Sequence, residues 1–238
     1  YPKGRNMLLQ GTVSTSQRGL HESIGAMHMQ MELMGIGNAN VQGFDKVGYQ
    51  RKDPVVSSFA DVIGIHALSE AIDDKVGRIT ETDHPLDLAI ANKGYFQMLN
   101  TDGSIELTRD GRLKLNEKGE LLGLEDQKIL TQGGSPIVFP FLPDEMKDIK
   151  IDTNGKVFVF NPETQKMEYV DTIGVVSSDG KAVLEPNIKQ SCLEFSNVNL
   201  AQEFLEMLPY RKNFDANRQL FRLQNEALTS AIQQLGGS

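Results

Sequence analysis

Both ends of the chain carry an apolar repeat in which steps of four and three residues alternate. The N-terminal repeat contains Leu20, Ile24, Met27, Met31 and Met34. The C-terminal repeat contains Leu200, Phe204, Met207, Phe214, Phe221, Leu228, Ile232 and Leu235, with Arg211, Arg218 and Asn225 at its polar positions. Such spacing is typical of a helix that packs lengthwise against another helix. The sequence therefore predicts two terminal α-helices that pair as a coiled coil.

Local signals predict where these helices begin and end. The three glycines at positions 35, 37 and 43 are expected to end the first helix, because glycine is the usual residue just after a helix. Ser196 or Asn197 is expected to cap the second helix. Pro209 lies inside the second repeat, where a proline removes a backbone hydrogen bond and costs about 3 kcal/mol. A kink or break is expected just before it.

The middle of the chain follows a different pattern. Short apolar runs are separated by turn pairs, namely Asp102-Gly103, Asp110-Gly111, Asn154-Gly155 and Asp179-Gly180. Pairs of this kind favour the positive φ angles of tight hairpins. A parallel sheet would need helical crossovers, and no helical pattern is visible here. The predicted fold is a mainly β central domain, antiparallel and rich in hairpins, between N- and C-terminal α-helices.

Three kinds of segment are expected along the chain. Residues 8–44 and 196–236 would form a terminal helical domain, and residues 45–83 a connector with some strand. Residues 84–195 would form the β domain and are expected to fold on their own.

Composition argues against several classes of protein. The formal net charge is −8 and no cluster of basic residues occurs, which disfavours nucleic-acid binding. Cys192 is the only cysteine, so an intrachain disulfide and a cysteine-based zinc site are excluded. No apolar run reaches 18 residues, so membrane insertion is not expected. The N-terminal residues also lack the apolar core of a signal peptide.

Candidate catalytic and metal-binding groups have simpler interpretations. Several acidic residues in the middle of the chain, such as Asp102, Asp110 and Asp179, lie beside glycines in turns, where a short acceptor side chain holds the loop. The methionines around His28 lie on the N-terminal repeat, where they would fill a helical interface. No nucleophile motif or phosphate-binding loop is present. We predict no catalytic residue, no cofactor and no metal.

Five short motifs follow one another along the chain. The first spans residues 36–44 and includes Asn38, Asn40, Gly43 and Phe44. The second spans residues 87–96 and includes Asp87, Gly94 and Phe96. The others contain Arg109 and Gly111, then Ser196 and Asn197, and finally Arg211 and Asn217. These five motifs resemble those of the flagellar rod and hook basal-body family, and together with the helical repeats the resemblance covers most of the chain.

The resemblance implies a structural subunit of the bacterial flagellar rod, and not an enzyme, that assembles through its terminal helices. Its partners would be copies of itself, other rod and hook subunits, and the flagellar export apparatus. It would be exported without a cleaved signal peptide and located in the basal body. The short connector is similar to that of proximal-rod members. Arg211 and Arg218 would either reach solvent or pair with acidic residues of neighbouring subunits.

Two alternatives remain open at this point. One is a secreted β-domain module that binds carbohydrate and carries helical oligomerisation arms. The other is a hydrolase that uses the acidic turns.

Overall fold

The computed structural model describes residues 3–56 and 68–236, with backbone alone at 3–17, 56 and 234–236. These residues form two long helices, α1 (Lys3–Gly43) and α2 (Leu200–Gly236), and a 3-10 turn at Met146–Asp148. The first strands are β1 (Lys52–Val56), β2 (Leu68–Ile72), β3 (Arg78–Glu81), β4 (Leu88–Ile90), β5 (Tyr95–Leu99), β6 (Ile105–Thr108), β7 (Lys114–Leu115) and β8 (Leu121–Leu122). The remaining strands are β9 (Lys128–Ile129), β10 (Ile149–Ile151), β11 (Lys156–Asn161), β12 (Lys166–Thr172), β13 (Val175–Val176), β14 (Ile188–Gln190) and β15 (Cys192–Phe195). The predicted β middle between terminal helices is confirmed.

The chain divides into two compact units. The helical unit contains α1 up to Gln42, the β1–β2 pair and α2, and the β unit contains residues 43–51 and 73–198. The segment predicted as a connector, residues 45–83, is therefore shared between the units. The β unit also begins before residue 84, because β3 pairs with β15 over its whole length.

The helical unit differs from the prediction at three points. α1 continues through Gly35 and Gly37 and ends only at Gly43, so the predicted end at the earlier glycines is wrong. The cap of α2 is Asn199, whose side-chain oxygen accepts the backbone N–H groups of Ala201 and Gln202 at 3.0 and 3.3 Å. Neither Ser196 nor Asn197 has this role.

The predicted break before Pro209 is also wrong, because α2 is continuous through that residue. Proline leaves the carbonyl group four residues earlier, that of Leu205, without its usual helical donor. The Leu205 side chain is 68% exposed, so this part of the helix faces solvent and water can bond the carbonyl.

The β unit is built entirely from antiparallel pairs in the described residues. One sheet has the order β13-β5-β9-β8-β7, with β6 also paired to β5, and a second has the order β10-β11-β12. The predicted hairpin turns are present at Gly103 and Gly155, whose φ angles are +86° and +85°. The core lies between these sheets and is filled by apolar side chains such as Phe96, Ile129 and Val159, all with no exposed area.

Candidate assembly surface

The two helices contact each other in antiparallel orientation. Hydrogen bonds between described side chains join them at three levels, from Ser23 to Gln224 (3.4 Å), from Asn217 to Gln30 (3.2 Å) and from Asn40 to Glu203 (3.0 Å). The residue number rises along one helix as it falls along the other, which defines the antiparallel direction. The line formed by these six residues is called the contact line below. Its members are polar, so apolar burial alone does not hold the helices together.

Glycines allow α1 and α2 to approach closely. A Cβ atom at Gly37 would lie 2.6 Å from Cγ of Met207, and one at Gly19 would lie 2.5 Å from Nε2 of Gln224. A glycine inside a helix costs roughly 1 kcal/mol relative to alanine. Glycine is nevertheless required at position 37, because any side chain there would displace Met207.

Asn40 fixes one end of the contact line. Its side chain accepts the Lys52 backbone N–H and donates to the Lys52 carbonyl, both at 2.9 Å, while also donating to Glu203. Asn40 and Glu203 are 1% and 2% exposed. Because the buried Asn40 amide forms hydrogen bonds with both the backbone of β1 and the Glu203 carboxylate, it joins α1, β1 and α2.

The apolar repeats predicted from the sequence lie beside the contact line. The half-buried members are Leu20, Met27, Met34, Leu200, Met207, Phe214, Phe221 and Leu228. The exposed members are Ile24, Met31, Phe204 and Ile232, which retain 49%, 57%, 55% and 59% of their accessible area. The side chain of Leu235 lies outside the described residues. A single chain therefore leaves much of both repeats uncovered.

An open groove of about 1080 Å³ runs along one side of the helix pair. Its lining includes Met34 and Asn38 from α1 and Phe204, Leu208, Arg211 and Phe214 from α2. Leu205, which also lines it, and Leu208 are exposed and were not singled out from the sequence. Both lie outside the repeat in which steps of four and three residues alternate. They could have been found from the sequence only by also examining the apolar residues of α2 that do not belong to that repeat. The groove is thus mainly apolar, with Arg211, Asp215 and Arg218 as its charged lining residues.

Among the motif residues of the β unit, Arg109 has the side chain with the most hydrogen bonds. It is 1% exposed, and its Nε donates to Oε2 of Glu194 at 2.7 Å. Its Nη atoms donate to the carbonyls of Gly94 at 2.6 Å and Ile90 at 2.7 Å. Glu194 also accepts the Gly77 N–H at 2.7 Å. Because both charges are bonded on several sides, the pair can be buried without leaving an unsatisfied charge.

Comparison with known proteins identifies the family. The model of the flagellar hook protein FlgE/F/G D1 domain matches residues 89–159. The chain is 31% identical over 181 residues to the flagellar basal-body rod protein FlgF of Rhizobium meliloti (strain 1021), covering 71% of this chain and 75% of that relative. The chain belongs to the flagellar basal-body rod protein family. It is also 26% identical over 262 residues to the rod protein FlgG of Bacillus subtilis (strain 168), covering 90% of this chain and 98% of the relative.

Several motif residues of this rod-family chain shape the backbone of the β unit. A Cβ atom at Gly111 would lie 1.9 Å from the Leu88 carbonyl oxygen, so that strand contact requires glycine. Gly94 has a φ of +146°, which side chains rarely adopt. Phe96 has no exposed area and belongs to the core. Asp87 accepts a 2.8 Å hydrogen bond from the Thr82 hydroxyl.

Other motif residues act where chain segments meet. Asn197 accepts the Arg51 backbone N–H at 2.7 Å and donates to the Asp73 carbonyl at 3.0 Å. Ser196 accepts the Val198 backbone N–H at 3.1 Å. Gly43 leaves space for the ring of Tyr49. Phe44 is half-buried, while Asn38 and Arg211 line the groove and Asn217 lies on the contact line.

Titratable groups of the described residues form no cluster of three or more that could hold a metal ion. Burial raises the pKa of the Cys192 thiol, and the nearby Glu81 carboxylate raises it further. A thiol of this kind is a poor nucleophile at neutral pH, because the thiolate is the reactive form. Neither described helix has a stretch apolar enough to cross a membrane.

Proposed function

We propose that the chain is a structural subunit of the flagellar basal-body rod that assembles through its two terminal helices. Residues 8–44 and 196–236 form the polymerising part, in which α1 and α2 pair as a coiled coil. The partners are further copies of the chain and other rod and hook subunits. The relatives are named as rod proteins, and we assign no enzymatic activity to the chain.

The observation that supports assembly is the exposure of large apolar side chains on both helices. These side chains are Ile24, Met31, Phe204, Leu205, Leu208, Leu220, Leu223 and Ile232, each between 45% and 68% exposed. Large apolar side chains exposed in such number on two helices mark a candidate interaction surface. Its burial by neighbouring copies would stabilise the assembled state.

The distribution of charge is compatible with this use of the helices. The helical unit contains eight basic and nine acidic residues, a net charge of −1. The β unit contains sixteen basic and twenty-three acidic residues, a net charge of −7. Helical units can therefore associate with little net repulsion, whereas acidic β units of neighbouring copies repel one another.

Two finer points rest on the family resemblance. The chain would leave the cell through the flagellar export apparatus, and the short stretch of sequence between Phe44 and Leu86 favours a proximal-rod position. No finding among the comparisons favours a carbohydrate-binding module.

The test is to place charges in the groove at positions that a single chain leaves exposed. Phe204→Asp with Leu208→Asp should leave the helices folded, because these side chains are 55% and 50% exposed. Rods should not form, because each carboxylate would have to be desolvated in the assembly. The matched control is Gln219→Asp with Gln233→Asp, two exposed positions of α2 outside the groove lining.

The measurement is electron microscopy of basal bodies in a strain that lacks its own copy of the gene. If the Phe204 and Leu208 double variant builds rods as well as the control, the proposed function of the helices is wrong.

A further inference from the structure

Two segments of α2 expose unlike sets of side chains. The groove side carries apolar side chains at Phe204, Leu205 and Leu208, followed by Arg211 and then Arg218. Arg218 is 3.4 Å from the Asp215 carboxylate. Arg211 is exposed, and no hydrogen bond or ion pair is seen for it within the described part of the chain. A partner that fits this groove must bring apolar side chains and a negative charge.

A stripe further along α2 has this composition. Ala216, Leu220, Leu223 and Ala227 follow one another at steps of four, three and four residues, so they form one row along the helix. None of them lines the groove. Leu220 and Leu223 are 45% and 63% exposed. We call this row the ridge.

The ridge ends beside a negative charge. Glu226 follows Leu223 by three residues, so the two side chains are neighbours on the helix surface. Glu226 is exposed, and it too shows no ionic partner in the residues that the structure describes. The ridge, together with Glu226 beside it, therefore offers two leucines and a carboxylate.

The groove and the ridge have the same spacing of complementary groups. In the groove, Leu205, Leu208 and Arg211 are three residues apart, and in the ridge Leu220, Leu223 and Glu226 are three residues apart. A shift of 15 residues brings the first set onto the second. At 1.5 Å per residue this shift is about 22 Å along a helix.

On the basis of the proposed function, we infer that the ridge of one copy occupies the groove of the next copy, with Glu226 paired to Arg211. The two copies run parallel and are staggered. Because the two contacting surfaces differ, each copy keeps a free groove at one end and a free ridge at the other. Such a contact propagates as an open filament instead of closing as a symmetric dimer. The ion pair would set the register more than the affinity.

Cysteine cross-linking within assembled rods tests the contact. Leu208→Cys and Leu223→Cys, placed together in one chain, should give a ladder of covalent oligomers under mild oxidation. Either substitution alone should give no cross-linked species, and Gln219→Cys with Leu223→Cys is the control. Cys192 is buried and does not need replacement.

Charge exchange tests the pairing of Glu226 with Arg211. Arg211→Glu alone and Glu226→Arg alone should each lower the number of rods per cell by about tenfold or more, because like charges then meet. The chain that carries both substitutions should recover rods to within about threefold of the unaltered protein, since the pair is then restored with reversed sign.

The outcomes separate this inference from the proposed function. Rods that form without a ladder, a dimer from Leu223→Cys alone, or a failure of the exchanged pair to recover would each overturn the ridge-and-groove contact. In all three cases assembly through the helices would still stand. If the Phe204 and Leu208 double variant builds normal rods, the proposed function itself fails.

Discussion

The side-chain amide of Asn40 donates a 3.0 Å hydrogen bond to the carboxylate of Glu203, and both side chains are almost completely buried. The same amide also closes two hydrogen bonds with the backbone of Lys52. One residue of α1 thus bonds both the backbone of β1 and a buried carboxylate of α2.

Asn40→Ala should therefore loosen the helical unit selectively. The loss should be about 3 kcal/mol, because several buried polar groups lose a partner at roughly 1–3 kcal/mol each. Amide hydrogen exchange in residues 30–42 and 200–210 should become about a hundredfold faster, while exchange in the β unit should not change. Asn38→Ala, at an exposed neighbouring position, is the control. Equal effects of the two substitutions would contradict this role of Asn40.

Arg109→Lys should destabilise the β unit by about 3–5 kcal/mol. A lysine cannot reach the carbonyls of Ile90 and Gly94 while also pairing with Glu194, so it leaves buried groups unpaired. Arg112→Lys alters an ion pair with Asp110 whose arginine side chain is 39% exposed, and should cost less than about 1 kcal/mol. Unfolding in urea can be followed by alkylation of Cys192, since burial raises the pKa of that thiol and slows the reaction in the folded state. Similar urea midpoints for the two variants would count against the importance of the buried pair.

The boundaries of the β unit can be tested with fragments. Residues 43–198 should melt cooperatively, whereas residues 84–195 should melt at a much lower temperature or remain unfolded. The shorter fragment lacks β3, the partner of β15, and lacks the Gly77 N–H that bonds Glu194. Circular dichroism during heating measures both. Equal melting temperatures would restore the sequence-based expectation that residues 84–195 are sufficient.

Periodicity allowed the main elements to be predicted, because helices and hairpins leave local signals in the sequence. The sequence predicts an end of α1 that is too early, since a glycine such as Gly37 is usually found just after a helix. A glycine is needed at position 37 because α1 comes close to Met207, which is 170 residues later in the chain. No local sequence pattern contains that information. The cap at Asn199 was readable in principle, because a glutamine follows three residues later as in a capping box.

The contact line illustrates a second limit of sequence analysis. A search for apolar repeats selects residues such as Ile24 and Met31, whereas the two helices of one chain are joined by Ser23 and Gln30 with their partners on α2. Four members of the apolar repeats, Ile24, Met31, Phe204 and Ile232, remain exposed in the single chain. The motifs also drew attention to Arg109, but its pairing with Glu194 spans 85 residues and depends on the tertiary fold.

Methionine oxidation compares the two units directly. Met31 on α1 is 57% exposed and Met167 on β12 is 43% exposed, so dilute hydrogen peroxide should oxidise both in the free chain at similar rates. In assembled rods, assembly through the helices predicts that Met31 becomes protected by at least about tenfold, because neighbouring copies exclude solvent and oxidant from the helical surface. Met167 should keep its rate. Mass spectrometry of peptides from free and assembled protein gives both rates. Protection of Met167 with no protection of Met31 would mean that copies meet through their β units, and would contradict assembly through the terminal helices.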